Sequence, residues 1–210
     1  MLENFYRQFL VDISHTGLIE YIAVLAGILS VWYSRKENIL VYPVGLVNTV
    51  FYTYLSFKGG LLGEASVNLY YTIMSIYGWF MWSRRNNTNE SRLHITTATQ
   101  PQWLVHLLFF AAFYIVIFFA LTFAQKEFAK DAIPWADALA SASAYTGMWL
   151  MAKKKVESWY WWIITNICSI PLYFVKHYSL TSVYYTILLI MAFWGLAEWR
   201  KKARLQSYEK

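Results

Sequence analysis

Seven apolar stretches of about twenty residues, parted by short polar breaks, run along this chain. They lie near 18–34, 39–57, 61–82, 103–123, 134–152, 157–176 and 179–199. A membrane-spanning helix needs about 20 mostly apolar residues. In hydrocarbon the backbone must satisfy its own N–H and C=O groups, so single runs of this length predict helices. The expected fold is an all-α integral membrane protein with seven transmembrane helices. Composition agrees, because charged residues make up 14% of the chain, where a soluble domain carries roughly 25%. One cysteine, Cys168, excludes a disulfide scaffold, and the four histidines show no ligand spacing, so no metal or cofactor is expected. The chain has no G-x-x-x-x-G-K loop, which excludes an ATP-driven pump of that type.

Residues 1–17 are too short and too mixed to span. Phe5, Phe9, Leu10 and Ile13 alternate with Glu3, Arg7 and Asp12, which reads as an N-terminal interfacial segment. No basic, apolar and small-residue succession marks a signal peptide. Of the eighteen Lys and Arg residues, five fall on the N-terminal side of the predicted spans (Arg7, Lys58, Lys126, Lys130 and Lys176) and thirteen on the other. That bias predicts an outer N-terminus and a cytoplasmic C-terminus. The net charge of +6 therefore points to anionic lipid, and no nucleic-acid partner is expected.

The chain also repeats itself. Trp32 and Trp149, Gly78 and Gly195, and Trp82 and Trp199 are each 117 apart; Asn48 and Asn166, and Lys58 and Lys176, are 118 apart. Spans one to three thus recur as spans five to seven. Three is odd, so a fourth span is needed to give both units the same orientation. The expected architecture is two parallel three-helix repeats, 18–82 and 134–199, joined by a cytosolic linker and helix at 83–133 (3+1+3), with a basic cytosolic tail at 200–210. The linker reads as a solvated tether. Parallel repeats of this kind occur in transporters, with the substrate held between them near the midplane.

Polar groups at mid-depth are costly and mark candidate sites. Asn48 and Asn166 read as symmetry mates whose amides could grip a carboxamide, a ribose or a pyrimidine edge; each could instead tie helices together. Trp159, Trp162 and Asn166 share one helical face. Two indoles over an amide suit a flat cationic aromatic ligand, although Trp159 also fits an interfacial belt. Asn68, Thr72 and Ser75 share a face beside Tyr71, and Tyr184 and Tyr185 lie on span seven; their hydroxyls suit a ribose. The substrate-binding candidates are Trp159, Trp162, Asn166, Asn48, Asn68, Thr72, Tyr71 and Tyr185. Glu20, Glu64, Asp137, Glu157 and Glu198 all lie near span ends, which favours uncoupled, facilitated diffusion. Pro43 and Pro171 are expected to kink their helices. The absence of a titratable cluster predicts no catalysis; a membrane enzyme or an assembly subunit is the reading from another class.

Trp159-x-x-Trp162-x-x-x-Asn166, the segment Gly63-Glu64 … Asn68-Leu69-Tyr70-Tyr71 … Tyr77-Gly78-Trp79 … Trp82, and Leu172-Tyr173 … Leu180-Thr181 resemble the PnuC family of bacterial vitamin transporters. The resemblance covers roughly residues 18–202. It implies a fold similar to the SWEET sugar carriers, location in the bacterial inner membrane, and uptake of nicotinamide riboside with trapping by a cytosolic kinase. It also implies a homotrimer, and contact of Trp159, Trp162 and Asn166 with the nicotinamide end. Relatives that carry thiamine keep that vitamin as the alternative, since it too is a flat cation. Glu157 beside the tryptophans would favour either one.

Overall fold

The computed structural model describes residues 17–58, 62–86, 91–124, 133–176 and 179–208. The expected N-terminal interfacial segment, the turn at Gly59-Gly60 and the loop carrying Lys126 and Lys130 lie outside them. Among the described residues seven helices run in order: α1 Leu18–Arg35, α2 Val41–Lys58, α3 Leu62–Ser83, α4 Gln100–Ala124, α5 Pro134–Ala152, α6 Ser158–Val175 and α7 Ser179–Tyr208. Among the described residues there is no sheet, only two isolated bridges. Leu18–Arg35, Gln100–Ala124 and Leu180–Gln206 are each long and apolar enough to cross a membrane. The other four are more polar because they turn hydroxyls and amides inward, as α2 does with Asn48, Thr49 and Ser56. Helix α4 has a mean hydropathy of 2.6, and His106 is its one buried residue.

Helices α1, α2 and α3 pack in sequence, as do α5, α6 and α7, while α4 packs along α5. The two units meet where α3 touches α5 and where α1 touches α7. This exchange of first and third helices is compatible with a 3+1+3 arrangement about a pseudo-twofold axis.

The repeat extends to single hydrogen bonds. Helix α1 ends with the N–H of Glu37 on Ser34 O (2.9 Å) and that of Asn38 on Tyr33 O (2.9 Å). Helix α5 ends with the N–H of Lys154 on Met151 O and that of Lys155 on Leu150 O, both at 3.0 Å. These are two Schellman caps 117 residues apart. Their left-handed positions hold Glu37 (φ 61°) and Lys154 (φ 51°) where glycine is usual. Trp82 Nε1–H donates to Ala152 O (3.2 Å) and Trp199 Nε1–H to Ser34 O (3.1 Å), so each unit's third helix is bonded to the end of the other's first.

Two expectations change. Pro43 is the third residue of α2, where its missing N–H costs no helical bond, so it imposes no kink; Pro171 does lie inside α6. The linker is not a free tether throughout. Thr96 bonds through its N–H to Lys154 O (3.1 Å) and through its carbonyl to Val156 N–H (3.0 Å), and Ile95 is buried in the aromatic core. Its polar composition hid that one apolar anchor.

Candidate functional site

Between the two units lies a cavity of about 400 Å³, within the span of roughly 300–1,000 Å³ typical of small-molecule sites. Its lining positions recur at an interval of 117: Tyr42 and Trp159, Gly45 and Trp162, Thr49 and Asn166, Asn68 and Tyr185, Tyr71 and Leu188, Ser75 and Ala192. A cavity lined in such pairs sits on the pseudo-twofold axis. The second and third helices of each unit supply these pairs, and α1 and α5 complete the wall.

Toward the basic face the cavity has an aromatic floor. Tyr42 meets Trp82 edge-on (5.2 Å, 88°), Trp159 meets Trp199 edge-on (5.6 Å, 86°), and the rings of Trp82 and Trp199 lie 6.1 Å apart. Two glycines admit the rings: a Cβ at Gly78 would stand 2.3 Å from Tyr42, and one at Gly195 would stand 2.4 Å from Trp159. Toward the other face the lining reaches Glu20, Leu55, Ser56 and Thr181.

Of the candidates, Trp159, Trp162, Asn166, Asn48, Asn68, Tyr71 and Tyr185 line this cavity. Thr72 is not part of the lining; its hydroxyl lies 2.9 Å from both Thr49 Oγ1 and the Asn68 carbonyl, tying α3 to α2. Trp159 is 1% exposed, so it belongs to the floor and not to a lipid-facing belt. The indole of Trp162 lies over Gly147, where a Cβ would come within 3.2 Å of the ring, and its centroid is 6.0 Å from that of Tyr71. Glu157 does not line the cavity. It is buried, and its Oε1 accepts the Ala98 N–H (2.8 Å), pinning the linker.

The two asparagines part company. Asn48 Nδ2 donates to Ala23 O at 2.7 Å, and its side chain also bonds the Tyr184 hydroxyl. Gly27 makes the notch for that hydroxyl, which stands 2.1 Å from where a Cβ would be. The counterpart bond runs from Thr165 Oγ1 to Ala140 O (3.4 Å), with donor and acceptor both displaced by 117. The structural mate of Asn48 is therefore Thr165, and that of Asn166 is Thr49, one residue out of the register that the two amides suggest. Asn48 serves as a helix tie. Asn166 is 2% exposed, lines the cavity, and its side chain has no hydrogen-bond partner among the described residues. An amide so placed is kept for something that enters.

Sequence reasoning passed over Gly45, Thr49 and Tyr173, which also line the cavity. A strict interval of 117 from Trp162 and Asn166 would have found the first two. Among the described residues no three of His, Cys, Asp and Glu gather as a metal would require.

A model of the nicotinamide mononucleotide transporter family matches residues 17–201. The chain is 28% identical over 206 residues to the nicotinamide riboside transporter PnuC of Escherichia coli, with 89% of this chain and 86% of that one covered. It is 24% identical over 186 residues to the riboflavin/roseoflavin transporter RibM of Streptomyces davaonensis, covering 87% and 84%. A crystal structure of the vitamin B3 transporter PnuC shares the fold, with a TM-score of 0.72 at 24% identity over 97% of this chain and 89% of that one.

Proposed function

The chain belongs to the nicotinamide mononucleotide transporter family, and from that premise we propose that it carries nicotinamide riboside across the bacterial inner membrane by facilitated diffusion. The observation that carries the reading is Asn166, a buried amide in the wall of the cavity with no side-chain hydrogen bond among the described residues, one helical turn from Trp162. A pyridinium ring on the Trp162 indole gains stacking and cation–π attraction, worth about 2 kcal/mol when desolvated. Its carboxamide can exchange donor and acceptor with the Asn166 amide. Asn68, Tyr71 and Tyr185 offer polar groups to the ribose, and Trp159 bounds the site below. Asn48 and Thr72 act one step back, by holding α2 against α1 and α3.

Glu20 reaches the lining at the end of α1, but the placement of four other carboxylates supports uncoupled transport. Asp137 is held by Lys176 (2.8 Å), Glu37 by Lys154 (2.8 Å), Glu198 lies 3.4 Å from Arg35, and Glu157 accepts from the linker. None of these four waits at mid-depth for a proton or sodium ion. The two units would rock about the cavity, opening the aromatic floor to the basic face. In this reading that face is cytoplasmic, the N-terminus is outside, the chain catalyses no reaction, a cytosolic kinase traps the product, and three copies assemble.

Uptake of radiolabelled nicotinamide riboside, thiamine and riboflavin into proteoliposomes tests the proposal. Saturable uptake of the riboside, unchanged by a proton gradient and lost on Asn166→Leu, is expected. No riboside uptake would overturn the substrate assignment, and gradient-driven accumulation would overturn the uncoupled mechanism.

A further inference from the structure

The two halves of the cavity are built on one plan but differ most in size at one pair of positions, Gly45 and Trp162. In the second unit the Trp162 indole lies on Gly147 of α5. In the first unit the equivalent positions, 45 and 30, hold Gly45 and Ser30. The order of large and small is reversed. A Cβ at Gly45 would stand 2.9 Å from Ser30 Oγ, and that hydroxyl is fixed by its bond to Val41 O (2.9 Å). At this position the second unit therefore projects an indole into the cavity, and the first has no side chain.

Gly45 has no backbone reason to be glycine, since it lies within α2 and its φ is not positive. A glycine inside a helix is disfavoured relative to alanine, so space is what it provides. The neighbouring pair follows suit. Thr49, the mate of Asn166, has its hydroxyl bonded to Thr72, whereas the Asn166 amide is left to the cavity. Where Tyr71 stands near Trp162, the equivalent positions hold Leu188 and Gly45, neither with a ring.

We propose that Gly45 is a specificity-determining residue, whose missing side chain leaves open the volume that a second tryptophan would fill, and that this volume takes the part of the ligand that is not the flat ring. The inference rests on the transport reading above and deepens it. Helix α6 grips the aromatic end through Trp162 and Asn166. Helix α2 holds back at Gly45 so that a sugar-sized group fits across the axis. The ligand is thereby held in one orientation even though the protein around it is nearly symmetric.

Ser30→Gly/Gly45→Leu tests this with the packing conflict removed, because it reproduces the large-on-small order of Trp162 on Gly147. Nicotinamide riboside affinity is measured in detergent by calorimetry. Ser30→Gly alone is expected to stay within threefold of the parent, and the double variant to bind at least tenfold more weakly. A folded double variant that binds within threefold of Ser30→Gly overturns the proposal.

A second arm does not depend on the folding of a bulky variant. In Ser30→Gly/Gly45→Cys/Cys168→Ser, a small water-soluble thiol reagent is expected to label the new thiol. Reagents of increasing size, attached after folding, should progressively abolish riboside binding. Failure to label overturns the proposal, as does full binding after a bulky label. If the parent binds no riboside, the transport reading fails, and labelling still decides whether position 45 opens on the cavity.

Discussion

Replacing Glu37 by glutamine should loosen the basic face of this transporter. Glu37 stands in the cap of α1 and takes two cations: Lys154 at 2.8 Å from the cap of α5, and Lys202 at 3.2 Å from α7. Both belong to the other unit, so these bonds must break if the units part at that face. The side chains of Lys154 and Glu37 are 5% and 19% exposed, and Lys154 also lies 4.8 Å from the centroid of Trp82. Removing one partner of a fully buried pair costs about 3–5 kcal/mol, whereas exposed pairs are worth about 0–1 kcal/mol. The partial exposure of Glu37 places the loss at about 2–3 kcal/mol, set mainly by Lys154, since Lys202 is 36% exposed. That corresponds to a shift of roughly 30- to 150-fold in the ratio of closed to open. A reporter is at hand in Ser34, buried at the basic end of the cavity with its Oγ 3.0 Å from Met151 Sδ. In a Ser34→Cys/Cys168→Ser chain, Glu37→Gln should raise the rate of labelling from the basic side at least tenfold. A lowered Tm with an unchanged labelling rate would refute the reasoning, because the pair would then hold the fold and not the gate.

Asn166→Leu should abolish riboside binding with little change in Tm, whereas Asn48→Leu should lower Tm, since it breaks the bond to Ala23 O; ligand-dependent thermal shift separates the two. Gly195→Ala should destabilise by about 1–3 kcal/mol through overpacking against Trp159, and Gly78→Ala should do likewise against Tyr42, as read by denaturation in detergent. Asp137→Asn should lower Tm by freeing Lys176, and leave the riboside affinity of the surviving folded protein unchanged.

Much of the architecture was legible because hydrophobic length is a one-dimensional property. The seven helices fall within a few residues of the expected spans, apart from α7, which runs on to Tyr208 as a basic helix past the apolar stretch. The equivalence of Trp82 and Trp199 was legible as an interval of 117; that their rings meet at 6.1 Å came from the structure. Where intervals slipped by one, the reading slipped too. Asn48 and Asn166 look like mates in composition, but helix α2 spends Asn48 on Ala23 O, and the true mates are the inconspicuous Thr165 and Thr49. Trp159 reads equally as belt or wall, because span position gives depth and not azimuth. Its burial under Gly195 came from the structure.

The sequence by itself determined the helices, the doubling and the basic face, since each follows from which residues tolerate lipid and from spacing along the chain. Only the tertiary structure decided which polar groups are consumed within the protein and which remain for a ligand. An amide carries the same hydrogen-bonding capacity wherever it stands. Asn48 finds a carbonyl at 2.7 Å, and Asn166 faces a cavity left open by Gly45 on the other side of the axis. That difference depends on how helices from two halves of the chain meet.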